Sequence, residues 1–361
     1  MIDFRYHIVS LVAVFLALAT GILLGAGPLQ EPIQGQLEGR AEALRDDQQQ
    51  LREANGELQS RVELGDAFAT EVAADVVADA LSGRRVVLVT LAGVDDSLRE
   101  STEASLASAG AVVSGRVGVE PDLYDPDGLT EVTEVIDALV AGSSPPAQSA
   151  PAAPVPEVDE QSAQSRVATA LARSLVTSAD AGAPAPGAVP LQGATGSTPS
   201  TGAGAPAGEP DEQSAAVLSG LTELGVINVD GEPAARATLA VVLAPGVPEE
   251  DATSATSPPP DQRDVMLLPL VTALDAAGRG VVVAGASRSA TSGGFIAAVR
   301  EDGSLDGAVS TVDVADTPQG QIALPLALAE QERGAAGDYG VASGVERVLP
   351  PKPETATAPT P

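Results

Sequence analysis

The chain has no cysteine and no tryptophan, and its single histidine is His7. The lack of cysteine excludes disulfide scaffolds, thiolate metal sites and cysteine nucleophiles. Because His7 precedes the first long apolar run, we expect it to face the cytoplasm. Ser-His-Asp catalysis, HExxH zinc sites and histidine acid–base chemistry are then excluded from the rest of the chain. We therefore predict a protein that is not an enzyme and holds no cofactor.

Aromatic and basic residues are also scarce. Aromatics make up 2% of the chain, and its net charge is −31. Single-stranded nucleic acids bind to clustered aromatics in basic grooves, and negative charge repels phosphates, so we predict no nucleic-acid partner. The acidity has two open explanations, solubility in a polar exterior or a cation-collecting surface. Since 44% of the residues are hydrophobic, the core must be aliphatic.

One apolar run near the N-terminus is long enough to cross a membrane. Residues 8–26 read IVSLVAVFLALATGILLGA and carry no charge. A membrane helix needs about 20 apolar residues. We therefore predict a cytoplasmic N-terminus at 1–7 and a transmembrane helix in membrane lipid at 8–27. The alternative is a cleaved signal peptide, whose apolar core is typically only about 7–15 residues long.

Charges on either side of this run predict its orientation. Arg5 and the amino terminus precede it, and Glu31 and Glu38 are the first charges after it. Cytoplasmic flanks carry the excess of Lys and Arg, so we predict a single-pass protein of the cell membrane with its body on the outer, periplasmic side. Gly21 and Gly25 form a G-x-x-x-G pattern, which either lets two helices approach closely or reflects ordinary small residues.

Leucine recurs every seven residues after the apolar run. Leucine at d positions with an asparagine at one a position is typical of a parallel two-stranded coiled coil. We therefore predict a coiled-coil stalk over 33–64 that forms a homodimer or recruits a different partner. The alternative is a helix that docks its leucines on its own domain. The predicted interface consists of Leu37, Leu44, Leu51, Asn55, Leu58 and Val62.

A connecting helix is predicted over 65–82, because Phe68, Val72, Val76 and Ala80 continue an apolar face at i,i+4 spacing. After Gly83 the sequence pattern changes to short aliphatic runs that alternate with helical patterns. This alternation predicts an α/β fold, namely one doubly wound, mostly parallel domain of about five or six strands over 83–349.

The predicted strands are 86–91, 111–119, 226–229, 239–244, 281–284 and 309–314. The predicted helices are 97–109, 129–140, 165–177, 214–224, 265–277, 294–300 and 321–331, the last containing Pro325. The first of these helices has Asp95 or Asp96 as its candidate cap. Residues 142–164 and 181–211 are rich in Ala, Pro and Gly, which predicts flexible, disordered insertions within the domain. The tail 350–361 is predicted to be disordered.

Two loops are candidate ligand sites, because ligands of doubly wound sheets bind beyond the carboxyl ends of the strands. One loop, 93–96, carries Asp95 and Asp96. The other, 285–294, reads GASRSATSGG and precedes a helix, so its backbone amides are a candidate anion site. An ordinary strand-to-helix loop is the alternative. The residues of the candidate anion site are Gly285, Ser287, Arg288, Gly293 and Gly294.

Two smaller motifs favour structural roles. Asp122, Asp125 and Asp127 lack the spacing of an EF-hand, and turns with a helix cap explain them better than calcium does. Asp338-Tyr339-Gly340 predicts a turn with the tyrosine ring packed on the core. We therefore predict no metal ligands and no catalytic residues.

The N-terminal motif is similar to that of a known family. Residues 3–7 read DFRYH, 10–19 read SLVAVFLALA and 21–25 read GILLG. This run resembles the N-terminus of the MctB-type copper transporter family of actinobacteria, described as copper transport outer membrane proteins. The order of anchor, coiled coil and α/β body is similar as well.

The resemblance implies a pore-forming protein in copper efflux and homeostasis, with copper as a partner and a place in the outer envelope. It also implies the alternative of a non-catalytic scaffold in an envelope or cell-separation complex. No copper-binding residues carry over to this sequence. Cu(I) prefers Cys and Met and Cu(II) favours imidazole, whereas the predicted exported part has only Met266.

Overall fold

The computed structural model describes residues 4–26, 30–124, 126–142, 160–178, 208, 211–247 and 262–352. The chain divides into two compact units, Met1–Gly65 and Asp66–Pro361. The first unit contains an apolar helix and most of a long polar helix. The second contains the end of the long helix and an α/β body.

Two helices precede the body. Helix α1 spans Phe4–Ala26 and α2 spans Gln30–Val77. Gly56 does not interrupt α2, and Pro32 is tolerated because it lies in the first turn, where its missing N–H has no helical acceptor. The stalk predicted at 33–64 and the connecting helix predicted at 65–82 are thus one helix. The predicted end was wrong, because residues 78–83 form turns and Asp79 adopts a φ of 62°.

The body alternates strands and helices. Its strands are β1 Arg85–Leu91, β2 Val112–Val119, β3 Ile227–Gly231, β4 Leu239–Ala244, β5 Val281–Gly285, β6 Ser310–Val312 and β7 Asp338–Tyr339. Its helices are α3 Asp96–Ser108, α4 Pro126–Gly142, α5 Glu160–Leu175, α6 Glu212–Glu223, α7 Gln262–Ala277, α8 Phe295–Glu301 and α9 Pro318–Gln331. A mixed α/β fold with a mostly parallel sheet is thereby confirmed.

The sheet has seven strands in the order β3-β2-β1-β4-β5-β6-β7. All neighbouring pairs are parallel except β2 with β3, which is antiparallel and places β3 at one edge. Leaving out β3, the strand order reverses between β1 and β4, as in flavodoxin-type doubly wound sheets. About five or six strands were predicted. The seventh is β7, which is only two residues long and was predicted to be a turn.

Aliphatic side chains bury both faces of the sheet. On β1, Val87 and Val89 belong to a cluster with α4, α5, α6, α7 and α8, whereas Val86 and Leu88 belong to a cluster with α3 and α9. This alternation follows from the two-residue period of a strand. Residues 66–77 of α2 join the second cluster through Ala69 and Val77. The segment predicted as a connector is therefore part of the body's packing.

Three predicted boundaries differ from the structure. Residues 160–164, expected in a flexible insertion, form the first turn of α5. Asp211, expected in the second insertion, caps α6 by accepting a hydrogen bond from the Ser214 amide. Pro350, expected in a disordered tail, is buried. Most of both insertions, and residues 353–361, lie outside the described residues.

Candidate functional site

Helix α1 has the composition of a membrane span. Its segment Arg5–Leu23 has a mean hydropathy of 2.1, and none of it is buried within the structure. It is the one helix, in the part of the chain that is described, with the length and apolarity to cross a membrane. The Thr20 hydroxyl donates to the Leu16 carbonyl at 2.7 Å, which satisfies a polar group on an otherwise apolar surface.

The predicted interface residues of α2 form an exposed stripe. Leu44, Leu51, Leu58 and Val62 are 59–70% exposed, and Asn55 lies exposed between them. The side chain of Leu37 lies outside the described residues. Polar i,i+4 pairs stabilise the remainder of the helix, such as Arg61 with Glu57 at 2.6 Å. An apolar stripe on a helix is typically buried, whereas this one is exposed. The coiled coil itself stays a prediction.

The heptad pattern changes its role after Gly65. The same frame continues to Ala69, Val72 and Val76, and Ala69 is 5% exposed because it packs in the core of the body. Asp66 accepts a hydrogen bond from Gln319 Nε2 of α9 at 3.0 Å. The exposed part of this heptad frame therefore ends near residue 62.

The predicted glycine-rich loop 285–294 bonds mainly to itself. The amides of Ser289 and Gly294 donate to the carbonyls of Ala286 and Thr291, each at 2.8 Å. A Cβ at residue 294 would lie 2.3 Å from the Ser289 carbonyl oxygen, so close packing requires glycine there. Anion binding by Gly285, Ser287, Arg288, Gly293 and Gly294 stays a prediction.

Both predicted ligand loops lie beside the loop after β4, at the point where the strand order reverses. A Cβ added at Gly93 would lie 3.5 Å from Pro245 Cβ, and one at Gly246 would lie 3.4 Å from Arg288 Cβ. The loop after β4 therefore lies close to both predicted ligand loops. Asp95 occupies the cap position of α3 as predicted, but its side chain makes no cap hydrogen bond.

Sequence reasoning missed a buried polar cluster that holds the C-terminal segment on the sheet. Arg300 Nη1 donates to the fully buried Asp313 carboxylate at 3.0 Å. The same carboxylate accepts hydrogen bonds from the amides of Val341 and Ala342 at 2.8 and 3.2 Å. The signal available in the sequence was an aspartate within the apolar run 309–314, because a charge at a strand position requires a buried partner.

Tyr339 completes this cluster. Its ring is 2% exposed, so the predicted packing on the core is confirmed, although Asp338–Tyr339 is a strand and not the predicted turn. Its hydroxyl donates to the Glu330 carboxylate. Burial, and secondarily this hydrogen bond, raise the pKa of Tyr339 above its usual value. The phenol is therefore neutral at physiological pH and acts as a hydrogen-bond donor.

The opposite sheet edge carries a second feature that the sequence did not reveal. A groove of about 500 Å³ runs between α6 and β3. Its lining includes Leu218 of α6 and Val229 of β3. The position of this groove depends on β3 being the edge strand, and no local motif indicates that. No group of three His, Cys, Asp or Glu side chains placed to hold a metal ion occurs among the described residues.

Fold and surfaces together define a class of protein with an N-terminal apolar helix of membrane-spanning length, a long helix with exposed leucines, and a doubly wound α/β body. The family model of MctB, described as a copper transport outer membrane protein, matches residues 1–350. The chain therefore belongs to the MctB family.

Curated relatives resemble the chain over nearly its whole length. Copper transporter MctB of Mycobacterium bovis is 26% identical over 351 residues, which cover 96% of this chain and 99% of that protein. Copper transporter MctB of Mycobacterium tuberculosis shows the same values. Copper transporter MctB of Mycobacterium leprae is 26% identical over 359 residues, which cover 98% of this chain and 100% of that protein.

Proposed function

We propose that this chain is a copper transporter-like protein of the cell envelope that acts in copper efflux. The observation that carries the proposal is the family match over residues 1–350, which includes α1, α2 and the body together. The named function of its mycobacterial relatives, copper transport, supports the same conclusion.

The proposed arrangement is a single-pass anchor with the body on the periplasmic side. The length and hydropathy of α1 support the anchor. Arg5 before the span and Glu31 after it support a cytoplasmic N-terminus. The family description adds the outer envelope as the place of action.

Copper is proposed to be cargo of an assembly and not an ion resident in the body. The chain contains no Cys, and its single histidine precedes the membrane span. Soft and imidazole ligands are what copper prefers, and carboxylates hold it weakly. We also propose that the protein is not an enzyme, because no nucleophile–base pair is apparent among these residue types.

Self-association through α2 is the proposed basis of that assembly. Exposed leucines at d positions and Asn55 at an a position suit two parallel strands. Two copies anchored in one membrane by their N-termini enter such a coil parallel and in register. The same exposed stripe favours a second candidate, a non-catalytic scaffold that recruits a different envelope or cell-separation protein.

A deletion strain tests the copper role. We expect increased copper sensitivity and cell copper content, both reversed by the intact gene. A variant with Leu44→Asp, Leu51→Asp and Leu58→Asp should fail to restore tolerance at unchanged abundance. Its matched control, Ala43→Asp with Gln50→Asp and Ser60→Asp on the polar side of α2, should restore it. Unchanged copper tolerance and content in the deletion strain would refute the copper role, and a defect only in daughter-cell separation would favour the scaffold.

Copper titration of the purified full chain tests the cargo proposal separately. We expect weak binding without defined stoichiometry, because carboxylates are the only abundant ligands. Tight binding with one copper per chain or per dimer would contradict it.

A further inference from the structure

The outer edge of β3 directs backbone groups away from β2, and none of them bonds to another backbone group in the part of the chain that is described. The Glu120 amide donates to the Val226 carbonyl and the Glu232 amide to the Ser114 carbonyl, both at 3.0 Å. In an antiparallel ladder, every second residue directs its backbone groups towards the neighbouring strand. Counting from these two bonds, Asn228 and Asp230 face β2. Ile227, Val229 and Gly231 direct their N–H and C=O groups outward. Ile227 is fully buried, so the accessible outward groups are those of Val229 and Gly231. No described strand pairs with this edge.

An apolar groove lies directly beside these groups. It has a volume of about 500 Å³, and Val229 and Gly231 form one wall while Ala215, Leu218 and Ser219 of α6 form the other. The half-exposed side chain of Val229 faces the groove from the strand whose backbone is free. An added strand would place every second side chain into this groove, because strand side chains alternate between faces.

The charges around the groove are negative. The charged residues of its lining are Glu223 and Glu232, and both are exposed. A second copy of this edge would bring like charges together, in a chain whose net charge is −31. The fitting partner is therefore basic.

We propose that the β3 edge and the adjoining groove bind an extended, basic segment of a partner protein by strand addition. Backbone hydrogen bonds to Val229 and Gly231 provide affinity, and alternate apolar side chains in the groove provide specificity. Basic side chains on the partner face Glu223 and Glu232. This site is separate from the α2 stripe and does not depend on copper.

A labelled peptide of alternating lysine and valine, about nine residues long, is the probe. The full chain is placed in nanodiscs of zwitterionic lipid, and binding is followed by fluorescence anisotropy. The peptide is compared with two derivatives, each N-methylated on one of the two alternating sets of amides. We expect one derivative to bind at least about tenfold more weakly and the other within about twofold of the parent. Equal binding by all three, or no binding at about 1 mM, would overturn the proposal.

Variants of α6 test the groove. Ala215 and Ala216 are both exposed alanines, but only Ala215 lines the groove. We expect Ala215→Trp to fill the groove and weaken peptide binding at least about tenfold, and Ala216→Trp to change it less than about twofold. Equal effects of the two variants would show that the peptide binds elsewhere, and would overturn the proposal.

Amide hydrogen exchange tests whether the edge is free. We expect the Val229 amide to exchange quickly in the free full chain and to be slowed by the peptide. Slow exchange without peptide would mean that another segment of this chain or a second copy already pairs with β3, and the proposed partner would then be wrong.

Discussion

At the scale of single residues, Pro325 in α9 leaves a backbone carbonyl without its helical donor, and a residue of another helix supplies one. Proline has no N–H, so the carbonyl of Gln321, four residues earlier, loses its helical donor. The hydroxyl of Ser105 on α3 donates to that carbonyl instead. Ser105 is 7% exposed, so water cannot readily take its place. One hydrogen bond thus joins two helices on the same face of the sheet.

Replacing Ser105 should therefore be costly. We expect Ser105→Ala to lower the free energy of unfolding by about 1–3 kcal/mol, because it leaves a part-buried acceptor without its donor. The measurement is denaturant unfolding of the purified chain. Ser108→Ala is the matched control, since that hydroxyl is exposed and bonds within its own helix. In a Pro325→Ala background, which restores the N–H, the cost should shrink, and an unchanged cost would contradict the argument.

Asp275 on α7 is a carboxyl group that opposes folding when it is ionised. Burial raises its pKa above the ordinary value. Below the unfolded pKa of about 3.9 the carboxyl is protonated in both the folded and the unfolded state and does not oppose folding. Stability falls as the pH rises through the higher folded pKa, because the group in the folded protein must then ionise while it is partly buried. We expect Asp275→Asn to raise the thermal midpoint at pH 7 and to leave it nearly unchanged near pH 3.

Asp95→Asn is the control for this pH series, because it removes one negative charge from an exposed residue that makes no cap hydrogen bond. A gain by Asp275→Asn that is the same at both pH values, or the same as that of the control, would show that net charge and not burial is responsible.

At the scale of elements, β7 depends on one glycine. Gly340 has a φ of 131°, and a Cβ there would lie 1.9 Å from Asp313 Oδ1. Because backbone strain and a clash with a buried carboxylate add, we expect Gly340→Ala to destabilise the body by about 2–4 kcal/mol. Hydrogen exchange should increase over residues 338–349 first.

Gly344 allows the cost of backbone strain to be measured without the clash. Its φ is 91°, but nothing lies within 4 Å of an added Cβ. Gly344→Ala should therefore cost only the conformational term, about 1–2 kcal/mol. Equal losses for the two variants would mean that the contact with Asp313 does not matter.

The coiled coil is also a prediction about one element, and the absence of cysteine makes it easy to test. A single Leu51→Cys should form a disulfide-linked dimer under mild oxidation, because d positions face each other in a parallel, in-register pair. Glu53→Cys, two residues later on the polar side, should crosslink far less. Equal crosslinking, or none at Leu51, would exclude a parallel two-stranded coil at this register.

At the scale of the whole molecule, the function depends on the orientation of α1. We expect Val348→Cys, whose native side chain is 54% exposed, to react with a membrane-impermeant maleimide in spheroplasts. His7→Cys should react only after lysis, because it lies on the cytoplasmic side of the span. The reverse pattern would place the body in the cytoplasm and contradict export.

The sequence predicted those parts of the molecule that local periodicity encodes. The apolar run predicted α1, and short aliphatic runs predicted most of the parallel strands. Strand β7 was missed because two residues carry no period. It is held by its pairing with β6 and by Asp313, which accepts hydrogen bonds from the amides of Val341 and Ala342. The turn after Val77 was missed because Ala80 continues a helical pattern that tertiary packing overrides.

The candidate sites also divide into those that local sequence patterns predict and those that only the folded structure forms. The heptad leucines were identified from spacing, since an exposed helix face is a local property. The groove beside β3 could not be identified, because it exists only once β3 runs antiparallel to β2 at the edge. The Arg300–Asp313 pair joins α8 to the residue that follows β6, and only folding brings the two together.

The amino-acid sequence alone determined the apolar anchor, the leucine stripe, the alternation of strands and helices, and the lack of strong copper ligands. Each of these depends on the chemistry of residues that are neighbours along the chain. Only the tertiary structure decided which strand lies at the sheet edge, which leucine-frame residues are buried after Gly65, and which charges are paired. The reason is physical, because strand order, burial and ion pairing arise from contacts between residues far apart in the chain, and local periodicity does not specify them.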